Sequence, residues 1–581
     1  MKSHIYEVRA FGATGDGQTL DSAAINRAIA AAAAAGGGTV HFSAGTYLSY
    51  SIRLQSNITL FLDQGATLLA ADPPPQPDQP GYDLPEPNPN TAYQDFGHSH
   101  WHNSLIWGEN LENVAILGPG VIYGRGLTRT GPGPRRGGGG GLAAGDFPDS
   151  LGMPRGNSTA APANFAPSGF SDAPGAPGFG GVPGRGFGAE RPGMGNKAIA
   201  LKSCRNVILR DFSILQGGHF ALLATGVDNF TIDNVKVDTN RDGFDIDCCR
   251  NVRISNCCVN SPNDDAIVLK SSYALGTPRA CENIAIVNCQ VSGFDPGSFL
   301  DGTYRTTQTR APDREGPTGR IKFGTESNGG FKNIAITNCV FVHCRGLALE
   351  TVDGGTIEDV TIDNLVMRDV FNSAIFLRLG NRARGPQGSP VGAIRRVNIS
   401  NVVASGVDAR FPCVLSGLPG HDIEDVTLSN IRVVSAGGIT MDEVSQQPLA
   451  LVSPFYAGRR GAATSPRDPF DPPEHDAGYP EPSMFGLLPA WGLYARHVNG
   501  LTVRDANFSC VVPDGRPVLV LQNVTHARID GIETNSPGQA NDGTPLFVLR
   551  QVQDFTSHSA VQQSAVLPDT HRDAVSGQES L

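Results

Sequence analysis

The feature that most constrains the fold is a short motif that recurs along most of the chain. Each copy has a polar residue, usually followed by Asn or Asp, ahead of a short run in which apolar and polar side chains alternate. Such alternation indicates a β-strand, and the tightest copies lie about 22 residues apart, within the period range of solenoids. We therefore predict a parallel β-solenoid. The copies begin at Ser56, Glu112, Arg205, Asp228, Arg250, Glu282 and Lys332, with looser ones at Glu358, Arg396, Glu424 and Gly500.

A single helix is predicted ahead of the repeats. Asp21 or Ser22 is the expected N-cap, an Ala-rich body runs to Ala35, and Gly36 ends the helix. A helix in this place would cover the open end of the solenoid, where a bare strand edge promotes aggregation.

Long insertions divide the chain. One is dominated by Gly, Pro, Ala and Ser and contains little apolar material, so no core of its own is expected. The expected organisation is a cap with the first coils (1–127), the Gly- and Pro-rich insertion (128–196), the main β-helix with loop insertions at 293–319 and 437–489 (197–557), and a polar, disordered tail (558–581).

Composition excludes several classes of partner. The 581 residues have a formal net charge of −11, which does not suit nucleic acid, because phosphates require a basic face. No run of about 18 apolar residues is present, so we expect no membrane span. The first residues lack the pattern of a signal peptide, which leaves localisation open. We expect a monomer.

We expect no metal site and no other cofactor, and the cysteines have no zinc-binding pattern. Cys257, Cys289 and Cys339 occupy the same place in successive repeats, and the spacing is not that of a zinc site. We expect a stack of buried thiols, because free Cys packs as a small hydrophobe.

An acidic stretch between Asn240 and Lys270 differs from the other repeats. Two strands begin there on carboxylates, Asp242 and Asp265, and Asp264 directly precedes the second one. Parallel strands place equivalent residues about 4.8 Å apart, so the three carboxylates should meet on one patch.

The alternation along these strands predicts which side chains point inward. The inward positions are Phe244, Ile246, Ile267, Leu269, Ile321, Phe323, Leu347, Leu349, Ile375 and Leu377. One outward column contains Asp245, Val268, Lys322, Ala348 and Phe376, and the next contains Asp247, Lys270, Gly324, Glu350 and Arg378.

Three carboxylates on one patch are costly unless they hold a proton, a cation or a polarised water. Three interpretations fit the spacing: ordinary Asp residues in turns, a calcium site, or hydrolysis of a glycosidic bond by an acid and a separate base.

Five sequence motifs carry a resemblance to a known family. They are FGATGDG (11–17), FSAGTY (42–47), NRDGFDI (240–246), NDDAIVLKS (263–271) and FGTESNGGFKNI (323–334). These motifs resemble those of glycoside hydrolase family 28, the polygalacturonase-like enzymes, and the resemblance covers nearly everything outside the 128–196 insertion. It implies an all-β, right-handed parallel β-helix and inverting hydrolysis, with Asp264 as the general acid and with Asp242 and Asp265 activating the water.

The chain departs from that family's pattern at two places. Coil counting puts Gly319 at the position of the family's His, and Ala348 and Glu350 at the positions of its Arg and Lys. A literal Arg320-Ile-Lys322 occurs one coil earlier by the same count.

These departures bear on how a substrate is held, because Arg and Lys pair well with a sugar carboxylate. Lys322 or Lys270 would take over that role from a neighbouring coil, while Glu350 would pair with Arg378 or accept hydrogen bonds from sugar hydroxyls. His219 either lines the sugar site or is a structural turn residue. The candidate substrate contacts are Asn240, Asp245, Lys270, Arg320, Lys322, Glu350, Arg378 and His219.

The leading hypothesis is an inverting hydrolase acting on a pectin-type chain derived from galacturonate or rhamnogalacturonan. A branched or rhamnose-containing substrate and exo or side-chain action are favoured over simple endo-cleavage of polygalacturonate. Two alternatives stay open: a polysaccharide lyase on the same fold, and a non-catalytic carbohydrate-binding solenoid.

Overall fold

A computed structural model describes residues 4–76, 79–95, 97–128, 192–312, 315–452, 467–535 and 545–558, and short strands at 561–562 and 571–573. The strands stack in parallel as coils of a β-helix with three ladders. The predicted insertion at 128–196 lies mostly outside the described residues.

The first ladder, which bears the acidic stretch, contains β5 (Ile52–Arg53), β8 (Ile106–Glu109), β11 (Lys197–Lys202), β14 (Phe220–Thr225), β17 (Asp242–Asp247), β20 (Ile267–Ser271), β23 (Ile321–Ser327), β25 (Leu347–Thr351), β27 (Ile375–Leu379), β29 (Cys413–Ser416) and β36 (His571–Asp573).

The second ladder contains β1 (Ile5–Glu7), β3 (Gly38–Phe42), β6 (Ile58–Leu62), β9 (Glu112–Leu117), β12 (Arg205–Arg210), β15 (Asp228–Asp233), β18 (Arg250–Ser255), β21 (Cys281–Val287) and β34 (Thr556–His558). The third contains β2 (Asp16–Leu20), β4 (Gly45–Ser49), β7 (Ala66–Ala70), β10 (Val121–Tyr123), β13 (Ser213–Leu215), β16 (Lys236–Asp238), β19 (Cys258–Asn260), β22 (Gln290–Ser292) and β35 (Val561–Gln562).

In the later coils, single long strands run through more than one ladder. The strands β24 (Phe331–Cys344), β26 (Thr356–Val370), β28 (Ala393–Val407) and β30 (Ile423–Gly437) run through the second and third ladders. The strands β31 (Leu493–Val512) and β32 (Leu519–Asn535) run through all three ladders, and β33 (Phe547–Gln553) runs through the first two.

The repeated Asn of the motif forms a corner of each coil. Asn113, Asn206 and Asn229 have φ angles of 57°, 55° and 52°, a left-handed conformation that Asn tolerates better than most residues. Their side chains bond up the axis: Asn206 donates to Asn113 at 2.9 Å, and Asn229 donates to Asn206 at 3.1 Å. The polar part of the repeat therefore turns the chain and ties successive coils together.

The alternating apolar residues fill the interior of the helix. All ten side chains predicted to point inward belong to one continuous buried cluster, which confirms the predicted phase of the strands. Cys257, Cys289 and Cys339 lie in the same cluster as free thiols.

The N-terminal end is covered by helix α1 (Ser22–Ala34). Its buried face, which includes Ile25 and Ile29, packs into the core beside the first coils. Asp21 stands at the N-cap position, but its carboxylate accepts hydrogen bonds from the backbone of Thr14 and Gly15 rather than from the helix. It therefore fastens the preceding Gly-rich turn to the cap.

A second short helix, α2 (Met441–Gln446), and 3-10 turns at Val8–Phe11, Thr91–Tyr93 and Pro482–Phe485 lie outside the ladders. The predicted tail (558–581) lies mostly outside the described residues. Within it, the short strands β35 and β36 pair with β32 and β33. Among the described residues, no helix is long and apolar enough to cross a membrane.

Candidate active site

The register of the first ladder confirms the first predicted outward column. Asp245 pairs with Val268, Val268 with Lys322, Lys322 with Ala348, and Ala348 with Phe376. All five side chains are buried, because segments outside the ladders fold over this face.

The second predicted column is interrupted. Asp247 pairs with Lys270, and Glu350 pairs with Arg378, as the alternation predicts. Between these pairs the register of β20 and β23 shifts, from Leu269–Phe323 to Ser271–Ser327. The irregularity removes Gly324 from the column, and a period-two pattern contains no signal for such a shift.

The three aspartates meet at the start of β17 and β20. Oxygen atoms of Asp242, Asp264 and Asp265 lie within 4.8 Å of one another. The backbone N–H of Gly243 donates a hydrogen bond to the backbone carbonyl of Asp265 at 3.0 Å, which connects the two strand starts. Asp242 and Asp265 are buried, whereas the side chain of Asp264 is 26% exposed.

Two cations from the next coil hold Asp265. Arg320 Nε lies 2.9 Å from Oδ1, and Lys322 Nζ lies 3.5 Å from Oδ2. Burial opposes charge on this carboxyl, but the positive charges of Lys322 and Arg320 outweigh burial and hold the pKa of Asp265 below its usual range. Because β23 pairs directly with β20, the coil count that placed Arg320 and Lys322 beside the aspartates is confirmed.

Asp242 has the opposite electrostatic environment. Burial and the nearby charge of Asp264 raise the pKa of Asp242 well above its usual value. Asp264 accepts a short hydrogen bond from Arg241, which is 29% exposed. The pKa values of two adjacent carboxyls are therefore shifted in opposite directions.

Glu350 is completely buried below the aspartates. Its carboxylate lies 3.4 Å from Lys322 and 3.9 Å from Arg320, and neither oxygen has a hydrogen-bond partner. Burial raises the pKa of Glu350 to about 7, although both cations lower it. The expected pair with Arg378 is not formed.

Arg378 donates instead to Ser416 Oγ at 2.8 Å and to the carbonyl of Glu474 at 2.8 Å, and its guanidinium lies over the ring of Phe485. Burial and the charge of Arg496 lower the pKa of Arg378 to about 9. Arg378 therefore holds the covering segment in place.

Lys270 lies in a second charge cluster on the same face. Its ammonium is 3.1 Å from Asp245, 3.5 Å from Glu326 and 2.5 Å from His98 Nε2. His98 also contacts Asp245 at 2.8 Å. His98 was missed by sequence reasoning, because it lies in a segment outside the repeats with no periodicity to place it.

The remaining candidates line the same strand starts. His219 is buried with its ring 4.6 Å from that of Phe220, and Asn240 is buried two residues before Asp242. Their contact with a sugar stays a prediction.

The segment 467–489 covers the later coils and adds residues that sequence reasoning missed. Glu481 accepts hydrogen bonds from Arg320 at 2.5 Å and from Arg345 at 3.1 Å. Tyr479 accepts a hydrogen bond from Lys322 at 3.4 Å. The turn at Pro482–Phe485 packs in an apolar cluster with the outward side chains of Ala348 and Phe376, which anchors the segment.

The charges around the triad do not favour a calcium site. Asp264 is paired with Arg241, and Asp265 is paired with Arg320 and Lys322. These fixed cations already pair with two of the three carboxylates that a divalent ion would need as ligands.

Comparisons with known proteins agree with this architecture. The family described as rhamnogalacturonase A/epimerase, pectate lyase-like, matches residues 5–72, and the right-handed β-helix region family matches residues 192–310. A probable polygalacturonase from Vitis vinifera is 23% identical over 455 residues, which is 74% of each chain.

Two solved structures share the fold. An exopolygalacturonase from Thermotoga maritima has a TM-score of 0.50 and 21% identity, over 74% of this chain and 87% of that one. The family 28 exopolygalacturonase from Yersinia enterocolitica has a TM-score of 0.52 and 16% identity, over 99% of this chain and 78% of that one.

Fold, acidic cluster and relatives together define a glycoside hydrolase built on a right-handed parallel β-helix. Within that class, the chain is similar in sequence to a probable polygalacturonase and a polygalacturonase, and similar in fold to a family 28 exopolygalacturonase.

Proposed function

We propose that this protein is an inverting hydrolase of glycosidic bonds in a pectin-type glycan, a polysaccharide or oligosaccharide derived from galacturonate or rhamnogalacturonan. The observation that supports it most is that two carboxyls within 4.8 Å of each other have pKa values shifted in opposite directions, that of Asp265 downward and that of Asp242 upward. Carboxyl groups whose environments separate their pKa values are the usual basis of acid–base chemistry.

Asp264 is the proposed acid, because it is the most exposed of the three carboxyls and can reach a glycosidic oxygen. It gives its proton to that oxygen as the bond to the anomeric carbon breaks. A water attacks the anomeric carbon, and its proton passes to Asp265, which Arg320 and Lys322 keep ionised.

Asp242 shares a proton with Asp264 in this scheme. Because the charge of Asp264 is a cause of the raised pKa of Asp242, protonating one carboxyl favours ionisation of the other. When a bound sugar draws the proton to Asp264, Asp242 becomes the second base beside Asp265.

Retention of configuration is a second candidate. It needs a carboxylate close to the acid rather than a gap for a water, and one oxygen of each of the three aspartates lies within 4.8 Å of the others. The anomeric configuration of the first product, followed by proton NMR during hydrolysis, distinguishes the two.

The activity is tested by incubating wild type and Asp264→Asn with a panel of pectic polysaccharides and oligosaccharides. Reducing ends should appear without ultraviolet absorbance, and the variant should lose them. Gain of absorbance would identify a lyase, because elimination leaves an unsaturated uronate. Equal glycan binding by both proteins with no turnover would identify a carbohydrate-binding solenoid.

A further inference from the structure

The cations nearest the catalytic carboxyls are engaged by the protein's own acids. Arg320 and Lys322 stand on the coil beside Asp265, and each contacts at least two carboxylates. Glu350 and Glu481 provide the additional contacts, from the next coil and from the covering segment. Both cations are at most 2% exposed, so these pairs are not shared with water.

Lys270 is held in the same way by two other buried acids. Asp245 and Glu326 lie 3.1 Å and 3.5 Å from its ammonium, and Arg384 binds the far oxygen of Glu326 at 2.5 Å. Arg241, the most exposed cation beside the triad, contacts Asp264. Among the described residues that contact the three aspartates, each cation has a carboxylate partner.

The acids of this cluster outnumber its bases. Seven carboxylates face six cations, before any proton is counted. The acids are Asp242, Asp245, Asp264, Asp265, Glu326, Glu350 and Glu481, and the bases are Arg241, Lys270, Arg320, Lys322, Arg345 and Arg384.

A uronate sugar would bring one more anion into this site. A buried carboxylate is tolerated when a fixed cation pairs with it, and here it would have to compete with a protein carboxylate for every such cation. Sugar hydroxyls carry no charge, and the same crowded acids accept hydrogen bonds from them.

We infer that the glycosyl unit bound at Asp242, Asp264 and Asp265 is an uncharged sugar, a hexose or deoxyhexose, rather than a uronate. This inference rests on the proposed function and narrows it to bonds of neutral sugars within a pectin-type glycan. Glu350 and Glu481 act as specificity-determining residues, because they occupy the cations that would otherwise hold a substrate carboxylate.

The test compares galacturonate oligosaccharides with the same oligosaccharides after chemical reduction of each carboxyl to a primary alcohol, alongside rhamnogalacturonan oligosaccharides with neutral ends. The wild type should cleave a neutral-ended substrate with kcat/KM at least tenfold above that for the uronate oligomer. A preference for the uronate oligomer would overturn the inference while leaving hydrolysis intact.

Binding separates this inference from the activity itself. Asp242→Asn should bind oligosaccharides without cleaving them, and it leaves in place every ion pair that Asp264 and Asp265 make with Arg241, Arg320 and Lys322. Calorimetry should show tighter binding of the neutral form. Tighter binding of the uronate form, or binding of neither form, would overturn the inference, whatever the outcome of the activity panel.

Glu350→Gln tests the mechanism of selection, with Glu282→Gln on the second ladder as a matched control. Releasing Lys322 from Glu350 should shift the neutral-to-uronate ratio of binding constants at least fivefold toward the uronate. The control should leave that ratio unchanged. An unchanged ratio in Glu350→Gln, with circular dichroism showing a folded protein, would contradict the role given to this residue.

Discussion

Arg320 and Asp265 form a buried ion pair between adjacent coils, with Nε 2.9 Å from Oδ1 and the arginine 1% exposed. The same guanidinium donates to Glu481 in the covering segment. One side chain therefore connects the strand start that bears Asp265 to a loop that lies 161 residues away in sequence.

Replacing Arg320 should destabilise the protein strongly. Arg320→Met leaves Asp265 and Glu481 buried with fewer counter-charges, and breaking a buried pair on one side costs about 3–5 kcal/mol. Urea unfolding measures the loss. Arg205→Met, which removes an exposed pair with Glu112, is the control and should cost less than about 1 kcal/mol. Equal losses of unfolding free energy in the two variants would contradict the larger contribution expected of the buried pair.

Replacing either coupled carboxyl should abolish most of the activity without unfolding the protein. Asp264→Asn removes the proposed acid and Asp242→Asn removes the shared proton site, and each should lower kcat by about 10²–10⁴-fold. Initial rates of reducing-end release measure the effect. Asp72→Asn, an exposed carboxylate, should retain wild-type rates. Full activity in Asp264→Asn would reject its role as the acid.

Glu350 should make stability depend on pH in a defined window. Its pKa is raised from an ordinary value of 4.5 to about 7, so the folded protein holds this proton more tightly than the unfolded chain does. The cost of ionising Glu350 is therefore absent below pH 4.5, grows as pH rises, and is fully present above pH 7.

Glu350→Gln removes that titration. The free energy of unfolding of the variant, relative to wild type, should rise by about 1–3 kcal/mol between pH 4.5 and pH 7.5. Urea midpoints taken at half-unit steps of pH provide the measurement. A difference that stays constant across this range would contradict the raised pKa.

Glu481 should control the covering segment. Glu481→Gln weakens the contacts to Arg320 and Arg345, so residues 467–489 should exchange backbone hydrogen faster while the ladders keep their protection. Hydrogen exchange followed by mass spectrometry resolves the two regions. Glu474→Gln is the control, because Glu474 lies in the same segment but pairs with Arg496 and His497. It shows how much of the faster exchange comes from losing a charge in the segment rather than from losing the contacts of Glu481 with Arg320 and Arg345.

The repeat was sufficient to predict the coils, because a period-two pattern dictates which side chains face inward. It correctly predicted the buried face that includes Phe244 and Ile246 and the outward column from Asp245 to Phe376. It also predicted that Asp242 and Asp265 lie close together, since equivalent residues on neighbouring strands are adjacent. Local sequence determines these features through backbone geometry alone.

The cover of the site and its charge balance were settled only by long-range folding. His98 and Glu481 reach the strands from segments without periodicity, and their partners Asp245 and Arg320 are 147 and 161 residues away. The register shift beside Gly324 likewise follows no alternation. Which carboxyl keeps its proton depends on burial and on these distant charges, so the tertiary structure decides the chemistry that the stacked strands make available.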